Sequence, residues 1–96
     1  MGREDVLQRL RAAQGKLADF HIKSLAIFGS VARDEARPDS DVDVLVEFDG
    51  PATFDRYMDL KQFLEATLDG RVDLLTRNGL RQELVPYIEQ DLLRVA

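Results

Sequence analysis

The amino-acid sequence predicts an α/β or α+β fold in which helices pack on one small sheet. Two observations indicate this class. Three parts of the chain carry apolar residues at spacings of three and four, which is typical of helices that bury one face. Between them lie short apolar runs, and one of these, residues 41–48, alternates with the period of two that a strand requires. The expected order is helix, strand, short helix, strand, helix, strand, helix.

The first half of the chain contains the first three of these elements. Residues 4–20 form the first predicted helix, and residues 24–28 form a buried strand that ends at Gly29. Residues 30–36 predict a short helix. Ser30 is its expected N-cap, because serine is strongly preferred at that position.

The second half begins with the alternating strand over residues 41–48, in which four apolar side chains share one face. A helical pattern over residues 53–68 follows, and residues 71–76 predict the third strand. The last apolar stripe runs from residue 80 to residue 95 at helical spacing. Because Pro86 lies inside this stripe, we expect a kink or a restart of the helix there.

Length and composition predict one globular domain over residues 1–96. With no cysteine and one histidine in the sequence, neither a disulfide framework nor a zinc site is expected. The net charge of −5 argues against binding to nucleic acid or to an anionic membrane, since both favour basic surfaces. The N-terminal residues lack the layout of a signal peptide, and no apolar run approaches a membrane span, so we expect a cytoplasmic protein.

Two aspartates interrupt the second predicted strand at positions that share one face. Asp41 and Asp43 are two residues apart, which puts their Cα atoms roughly 6–7 Å apart. Carboxylates this close repel each other unless a cation neutralises them. Magnesium prefers oxygen ligands, and two such ions about 3.5–4 Å apart form the clamp used for in-line displacement at phosphorus. Asp73, in the third predicted strand, is the best candidate for a third carboxylate.

A Gly-Ser pair ends the first strand, ten residues before these aspartates. Gly29 lets the backbone turn tightly. Ser30 is expected to open a helix whose free N–H groups attract anions. A nucleoside triphosphate could therefore have its phosphates at the Gly-Ser pair and its metal ions at the aspartates. Arg33, one turn along that helix, either contacts the phosphates or forms a salt bridge on the helix surface.

Two simpler interpretations apply to the aspartates. An outward strand face with aspartates is often only a solvated face, but the Gly-Ser pair at a fixed distance and a third aspartate in another strand disfavour this. The spacing of Asp39, Asp41 and Asp43 also matches the start of a calcium loop. That loop requires glycine at its sixth position and glutamate at its twelfth, where this chain has Val44 and Gly50. The calcium interpretation therefore fails.

Residues 29–48, GSVARDEARPDSDVDVLVEF, resemble the core motif of the DNA polymerase β-like nucleotidyltransferases in their minimal (MNT) form. The later VDLLT run matches the place of that family's third carboxylate. The family often has a small residue such as glycine at position 34, where this chain has Asp34. The resemblance implies a small mixed sheet flanked by helices. It also implies magnesium-dependent transfer of a nucleoside monophosphate, with ATP as the expected donor, to a hydroxyl group.

The resemblance also implies a role for each matching residue. Asp41 and Asp43 would bind two magnesium ions, and Asp73 would complete the second metal site and act as, or orient, the base for the attacking hydroxyl. Gly29 and Ser30 would hold the triphosphate.

Minimal members of this family are commonly encoded beside a HEPN-domain ribonuclease, as the antitoxin of a toxin–antitoxin pair, and some adenylylate a tyrosine of the toxin. The resemblance therefore implies a HEPN-type toxin as partner and acceptor. The chain ends one helix after Asp73, so we expect it to borrow part of its acceptor site. The alternative from another class is a non-catalytic antitoxin that neutralises its partner by forming a complex. A nucleotidyltransferase acting on a small molecule such as an antibiotic is a weaker alternative, because no acceptor-binding domain follows.

Overall fold

A computed structural model describes residues 1–96 and shows a four-stranded mixed sheet flanked by helices, which confirms the predicted fold class. The spatial order of the strands is β3-β2-β1-β4. β2 and β3 are parallel, whereas β1 is antiparallel to both of its neighbours, β2 and β4. The strands are β1 (Ile22–Phe28), β2 (Val42–Phe48), β3 (Val72–Thr76) and β4 (Leu93–Arg94).

Five α-helices connect and cover these strands. The longest is the crossover between the two parallel strands. It begins after Thr53, whose side-chain oxygen accepts a hydrogen bond from the Arg56 N–H at 3.3 Å, and ends at Asp69 in a left-handed conformation. The helices are α1 (Arg3–Ala12), α2 (Gln14–Leu17), α3 (Gly29–Ala32), α4 (Phe54–Leu68) and α5 (Val85–Asp91), with single 3₁₀ turns at Ala18–Phe20, Arg77–Gly79 and Gln82–Leu84. None of these helices combines the length and the apolar character that crossing a bilayer requires.

The main core lies between α1, α4 and one face of the sheet. It is a cluster of 18 buried apolar residues, to which β2 contributes Val44 and Val46 and α4 contributes a stripe of leucines. Leu45, on the other face of β2, packs instead with Phe28 and with Ile88 of α5. Both faces of β2 therefore contain buried residues. Val44 and Val46 lie in the main core, and α5 covers Leu45 at the middle of the opposite face.

The first predicted helix is interrupted in the structure. α1 ends at Ala12. The backbone angles of the next residue, Ala13 (φ −94°, ψ 6°), leave the helical region, and the chain continues as α2 and a 3₁₀ turn up to Phe20. A single helix over residues 4–20 is therefore wrong. Gly15 follows directly after the break, and its low helix propensity favours the interruption.

The C-terminal apolar stripe is only partly a helix. α5 has Pro86 in its first turn, so the expected restart at this proline is confirmed. The helix ends at Asp91, and the continuation of the stripe to residue 95 is wrong, because residues 93–94 form β4. This segment supplies backbone partners to the edge of β1, including a 2.7 Å hydrogen bond from the Val95 N–H to the Leu25 carbonyl.

The candidate active site

The site is built around two aspartates on neighbouring parallel strands. Asp43 of β2 is the direct register partner of Asp73 of β3. Residues paired in this way point to the same face of the sheet, so the two carboxylates lie side by side. Asp43 is half-buried and Asp73 is exposed. The structure therefore brings together two of the three predicted carboxylates, at the start of their strands.

Gly29 closes the other side of Asp43. Phe28, the last residue of β1, pairs with Asp43, and the chain turns at Gly29 with φ +73°. A β-carbon added at Gly29 would lie 3.1 Å from Cγ and 3.4 Å from Cβ of Asp43, and it would overlap the carboxylate oxygen. Glycine is therefore required here both by the left-handed backbone and by the neighbouring side chain.

The environment of Asp43 disfavours its charged form. Burial, together with the negative charges of Asp73 and Asp41, raises the pKa of Asp43 to about 6, although the positive charge of Arg33 opposes this. A hydrogen bond that protonated Asp43 shares with Asp73 acts in the same direction as burial. The site thus holds more negative charge than its own residues neutralise.

Ser30 does not cap the short helix as predicted. α3 begins one residue earlier, at Gly29, and spans only four residues instead of the expected 30–36. Phe28 occupies the N-cap position, and no side chain caps the helix. The reason is the left-handed Gly29, which starts the turn directly from the end of β1. Ser30 remains half-buried, next to Gly29 in the chain.

Arg33 makes the surface salt bridges that were one of its two predicted roles. Its Nη1 donates to Oδ2 of Asp91 at 2.7 Å, and its Nε lies 3.4 Å from Oε2 of Glu35. These two carboxylates raise the pKa of the Arg33 guanidinium, which stays fully charged. Arg33 directly follows α3, the helix that begins at Gly29, and its contact with a phosphate stays a prediction.

Asp41 forms an ion pair outside the hydrogen-bonded ladder of β2 and β3. It precedes β2 instead of opening the strand, and its Oδ1 is 3.1 Å from Nε of Arg71. No group of three carboxylate or histidine side chains is arranged closely enough to enclose a metal ion. The structure thus brings Asp43, Asp73 and Gly29 together and directs Asp41 towards Arg71.

The donor set nevertheless fits magnesium. Asp43 and Asp73 offer only carboxylate oxygens, which are the ligands this ion prefers, and magnesium is usually held by one or two carboxylates together with substrate phosphates. The excess negative charge that raises the pKa of Asp43 is what a divalent cation would neutralise.

The sequence interpretation missed two charged residues at the site, Asp91 and Arg71. Asp91 and Arg71 are ion-pair partners from distant parts of the chain, and no local pattern marks them. Asp34 has a positive φ of 61°, which suits glycine or a short polar residue, and its Oδ1 accepts a hydrogen bond from the backbone N–H of Arg3 at 3.3 Å. Asp34 therefore ties α1 to the end of α3.

A family model for the nucleotidyltransferase domain matches residues 6–95. The chain belongs to this nucleotidyltransferase family. It is accordingly an enzyme of the class predicted from the Gly-Ser and Asp-x-Asp motifs, and the resemblance stated from the sequence is confirmed.

Two curated relatives align over nearly their whole length. One, named "Putative protein adenylyltransferase MJ1379", from Methanocaldococcus jannaschii, is 38% identical over 95 residues, which are 95% of each chain. The other, "Protein adenylyltransferase MntA" from Thermococcus cleftensis, is 32% identical and covers 96% of this chain and 94% of its own length.

Solved structures agree with this assignment. One, described as "putative minimal nucleotidyltransferase", has a TM-score of 0.84 at 35% identity and covers 97% of this chain and 95% of its own. A second, an MNT antitoxin in complex with a tri-AMPylated Shewanella oneidensis HEPN toxin, has a TM-score of 0.69 at 20% identity, over 94% of this chain and 71% of its own. At that identity the second likeness shows the fold alone.

Proposed function

We propose that this nucleotidyltransferase transfers AMP from ATP to a hydroxyl group of a partner protein, with magnesium as its cofactor. Two relatives are named as protein adenylyltransferases, which favours a protein as the acceptor. One observation carries the proposal. Asp43, the register partner of Asp73, lies directly against the left-handed turn at Gly29, so carboxylate oxygens and a turn that can approach phosphates closely are neighbours.

In this proposal Asp43 and Asp73 hold the metal, and Asp41 joins them after leaving Arg71. Two ions are the expected number for this chemistry, and when bound they neutralise the phosphates and the charge that develops on them. The Gly29-Ser30 turn holds the triphosphate against the end of β1. Gly29, which has no side chain, lets the phosphates approach the backbone and the Asp43 carboxylate.

The transfer step forms one phosphorus–oxygen bond and breaks another. The acceptor hydroxyl oxygen bonds to the α-phosphorus, and the bond from that phosphorus to the bridging oxygen breaks, which releases pyrophosphate. In this proposal Asp73, which is exposed, accepts or directs the hydroxyl proton. Asp43 must be ionised to act as a ligand, and with its pKa at about 6 it is ionised at neutral pH.

We further propose a HEPN-type toxin as the partner and acceptor, with this chain acting as its antitoxin. The support is the structure of an MNT antitoxin bound to a tri-AMPylated HEPN toxin, which shares this fold. A domain of 96 residues, whose site lies at the surface, leaves room for a partner to complete the acceptor side.

The test measures transfer of label from ATP labelled at its α-phosphate to a HEPN-type toxin encoded beside this chain. Wild-type protein with magnesium is expected to label the toxin. Asp43→Asn is expected to lower the rate by about 100-fold or more, since it removes a metal ligand. Asp59→Asn, an exposed aspartate on α4, is the matched control and should label normally.

The same experiment separates catalysis from simple binding. If toxin activity is neutralised by wild type and by Asp43→Asn alike, without label transfer, the protein acts as a non-catalytic antitoxin. Absence of label with wild-type protein on every HEPN-type substrate, in the presence of magnesium, would contradict the proposed acceptor class.

A further inference from the structure

Asp91 is held in place by the core beneath the site. It is the last residue of α5, and its side chain is only 23% exposed. Ile88, three residues earlier on the same helix, is buried against Phe28 and Leu45. Phe28 immediately precedes Gly29, and Leu45 lies on the same face of β2 as Asp43. The position of Asp91 is thus fixed by the same residues that position the aspartate pair.

Asp91 accepts a hydrogen bond from Arg33, although the two residues are 58 positions apart in the sequence. The 2.7 Å contact from Nη1 to Oδ2 is much shorter than the 3.4 Å contact from Nε to Glu35, whose side chain is 66% exposed. A short charge-assisted hydrogen bond to a mostly buried carboxylate restrains an arginine far more than a long contact on the surface. Asp91 is therefore the principal partner of Arg33.

Arg33 is in turn attached to the turn that begins at Gly29. Its backbone N–H donates to the Gly29 carbonyl at 3.1 Å, which places it one helical turn beyond the glycine. Arg33 therefore directly follows the short helix α3, whose first residue, Gly29, packs against Asp43. With Nε and Nη1 bound to carboxylates, the third nitrogen, Nη2, makes no hydrogen bond to the protein. A planar guanidinium anchored in this way presents its remaining donors in a fixed direction.

We infer that Asp91 is a positioning residue, which fixes the Arg33 guanidinium so that its free Nη2 donates to a phosphate oxygen of the bound nucleotide. This rests on the proposed function, because the phosphate must come to the Gly29 turn. The inference assigns a role in nucleotide binding to α5, an element outside the Gly-Ser and Asp-x-Asp motifs. Loss of the Asp91 carboxylate should therefore weaken binding of the nucleotide more than it slows the transfer step.

The test compares Asp91→Asn with Glu89→Gln. Glu89 lies on the same helix and is 3.7 Å from Arg77 in a separate ion pair, so its replacement removes the same charge without touching Arg33. Binding of the ATP analogue AMP-PNP with magnesium is measured by calorimetry. KM for ATP and kcat are measured with the HEPN-type toxin. We expect Asp91→Asn and Arg33→Ala each to weaken binding and raise KM by about 3- to 10-fold, with kcat within about 2-fold of wild type. Glu89→Gln should match wild type in binding and in KM.

Two further variants separate positioning from a merely structural role. The double variant Arg33→Ala with Asp91→Asn should bind no more weakly than Arg33→Ala alone, since both changes remove one interaction. Asp91→Glu, which keeps the carboxylate, should recover part of the affinity lost in Asp91→Asn.

Three outcomes would overturn the inference. Wild-type binding of AMP-PNP by Asp91→Asn, with only a fall in its melting temperature, would show that Asp91 is structural. Tighter binding in Asp91→Asn would show that the carboxylate competes with the phosphate. Equal losses of AMP-PNP affinity in Asp91→Asn and Glu89→Gln would show that the effect comes from removing one negative charge and not from the position of Arg33. If wild-type protein binds no AMP-PNP in the presence of magnesium, both the proposed function and the inference fail. If wild-type protein binds AMP-PNP and the Arg33 and Asp91 variants bind it equally well, only the inference fails.

Discussion

Asp41 and Asp43 are separated by one valine, yet they lie in two different environments. Asp43 is half-buried between Gly29 and Asp73, inside the hydrogen-bonded ladder of β2. Asp41 precedes the strand, has a side chain 46% exposed, and pairs with Arg71, whose side chain is 75% exposed. One carboxylate is fixed by backbone pairing and by close packing, and the other is held by an exposed ion pair.

This difference shows how the site can be preformed on one side and adjustable on the other. Asp43 cannot move away from Gly29 without changing the end of β1. An exposed ion pair such as Asp41–Arg71 contributes only about 0–1 kcal/mol, so a cation entering the site can displace Arg71 at small cost. The fold thus orients Asp43 before any ligand binds. The side chain of Asp41 can change its position once its ion pair with Arg71 breaks. The variants below test each side of this comparison.

Gly29→Ala should have the largest effect, because it acts on the fixed side. An alanine there has an unfavourable positive φ, and its β-carbon overlaps the Asp43 carboxylate. We expect a loss of about 2–4 kcal/mol in the free energy of unfolding, measured by urea denaturation, and loss of AMP-PNP binding. Gly15→Ala is the control, since a β-carbon there meets open space within α2, and it should leave stability unchanged or raise it by up to about 1 kcal/mol. Equal stability of the two variants would contradict the close packing of Gly29.

Asp43→Asn should raise the free energy of unfolding, whereas most substitutions lower it. The pKa of Asp43 is about 6 in the folded protein against an ordinary value of 3.8. Between these two values the folded state binds more protons than the unfolded state, so stability falls as the pH rises from about 4 to about 6, and the loss is complete above that range. Asparagine removes this pH-dependent loss. At pH 7.5 we expect a gain of about 1 kcal/mol, a figure reduced because water reaches the half-buried carboxylate.

The measurement is the free energy of unfolding without metal at several pH values from 4 to 7.5, for wild type, Asp43→Asn and Asp41→Asn. The slope attributed to Asp43 should disappear only in Asp43→Asn. Asp41→Asn should stay within about 0.5 kcal/mol of wild type, as expected for an exposed ion pair. An identical slope in wild type and Asp43→Asn would show that Asp43 is not desolvated by its neighbours.

The elements that the sequence predicted well are those that carry their own pattern. Residues 41–48 alternate over the full length of β2, and the structure moves only the first boundary, to Val42. The leucine stripe of α4 is equally local, and its predicted start differs by one residue. The pairing of Asp43 with Asp73 could be anticipated because each aspartate lies near the start of an apolar strand, and parallel neighbours bring equivalent positions together.

The features that were missed depend on residues distant in the sequence. β4 has two residues and exists only because β1 offers an unpaired edge, and the flanking Leu92 and Val95 continue the helical spacing of α5 in the sequence. The ion pairs of Arg33 with Asp91 and of Arg71 with Asp41 need the tertiary fold before they form. Ser30 as N-cap was wrong for a local reason, since nothing in the sequence shows that Gly29 has positive φ and starts the helix itself.

Arg71→Gln should have the smallest effect on stability and tests the adjustable side directly. Removing the guanidinium frees the Asp41 carboxylate and removes a positive charge from the neighbourhood of the proposed metal ligands. We expect a change of less than about 0.5 kcal/mol in the free energy of unfolding, and magnesium binding about 2- to 3-fold tighter by calorimetry in the presence of AMP-PNP. Arg9→Gln, which removes another exposed arginine, paired with Asp5 at 3.9 Å, is the control and should leave magnesium affinity unchanged. Weaker magnesium binding in Arg71→Gln would mean that Arg71 orients Asp41 for the metal instead of competing with it, and Asp41 would then belong to the preformed side of the site.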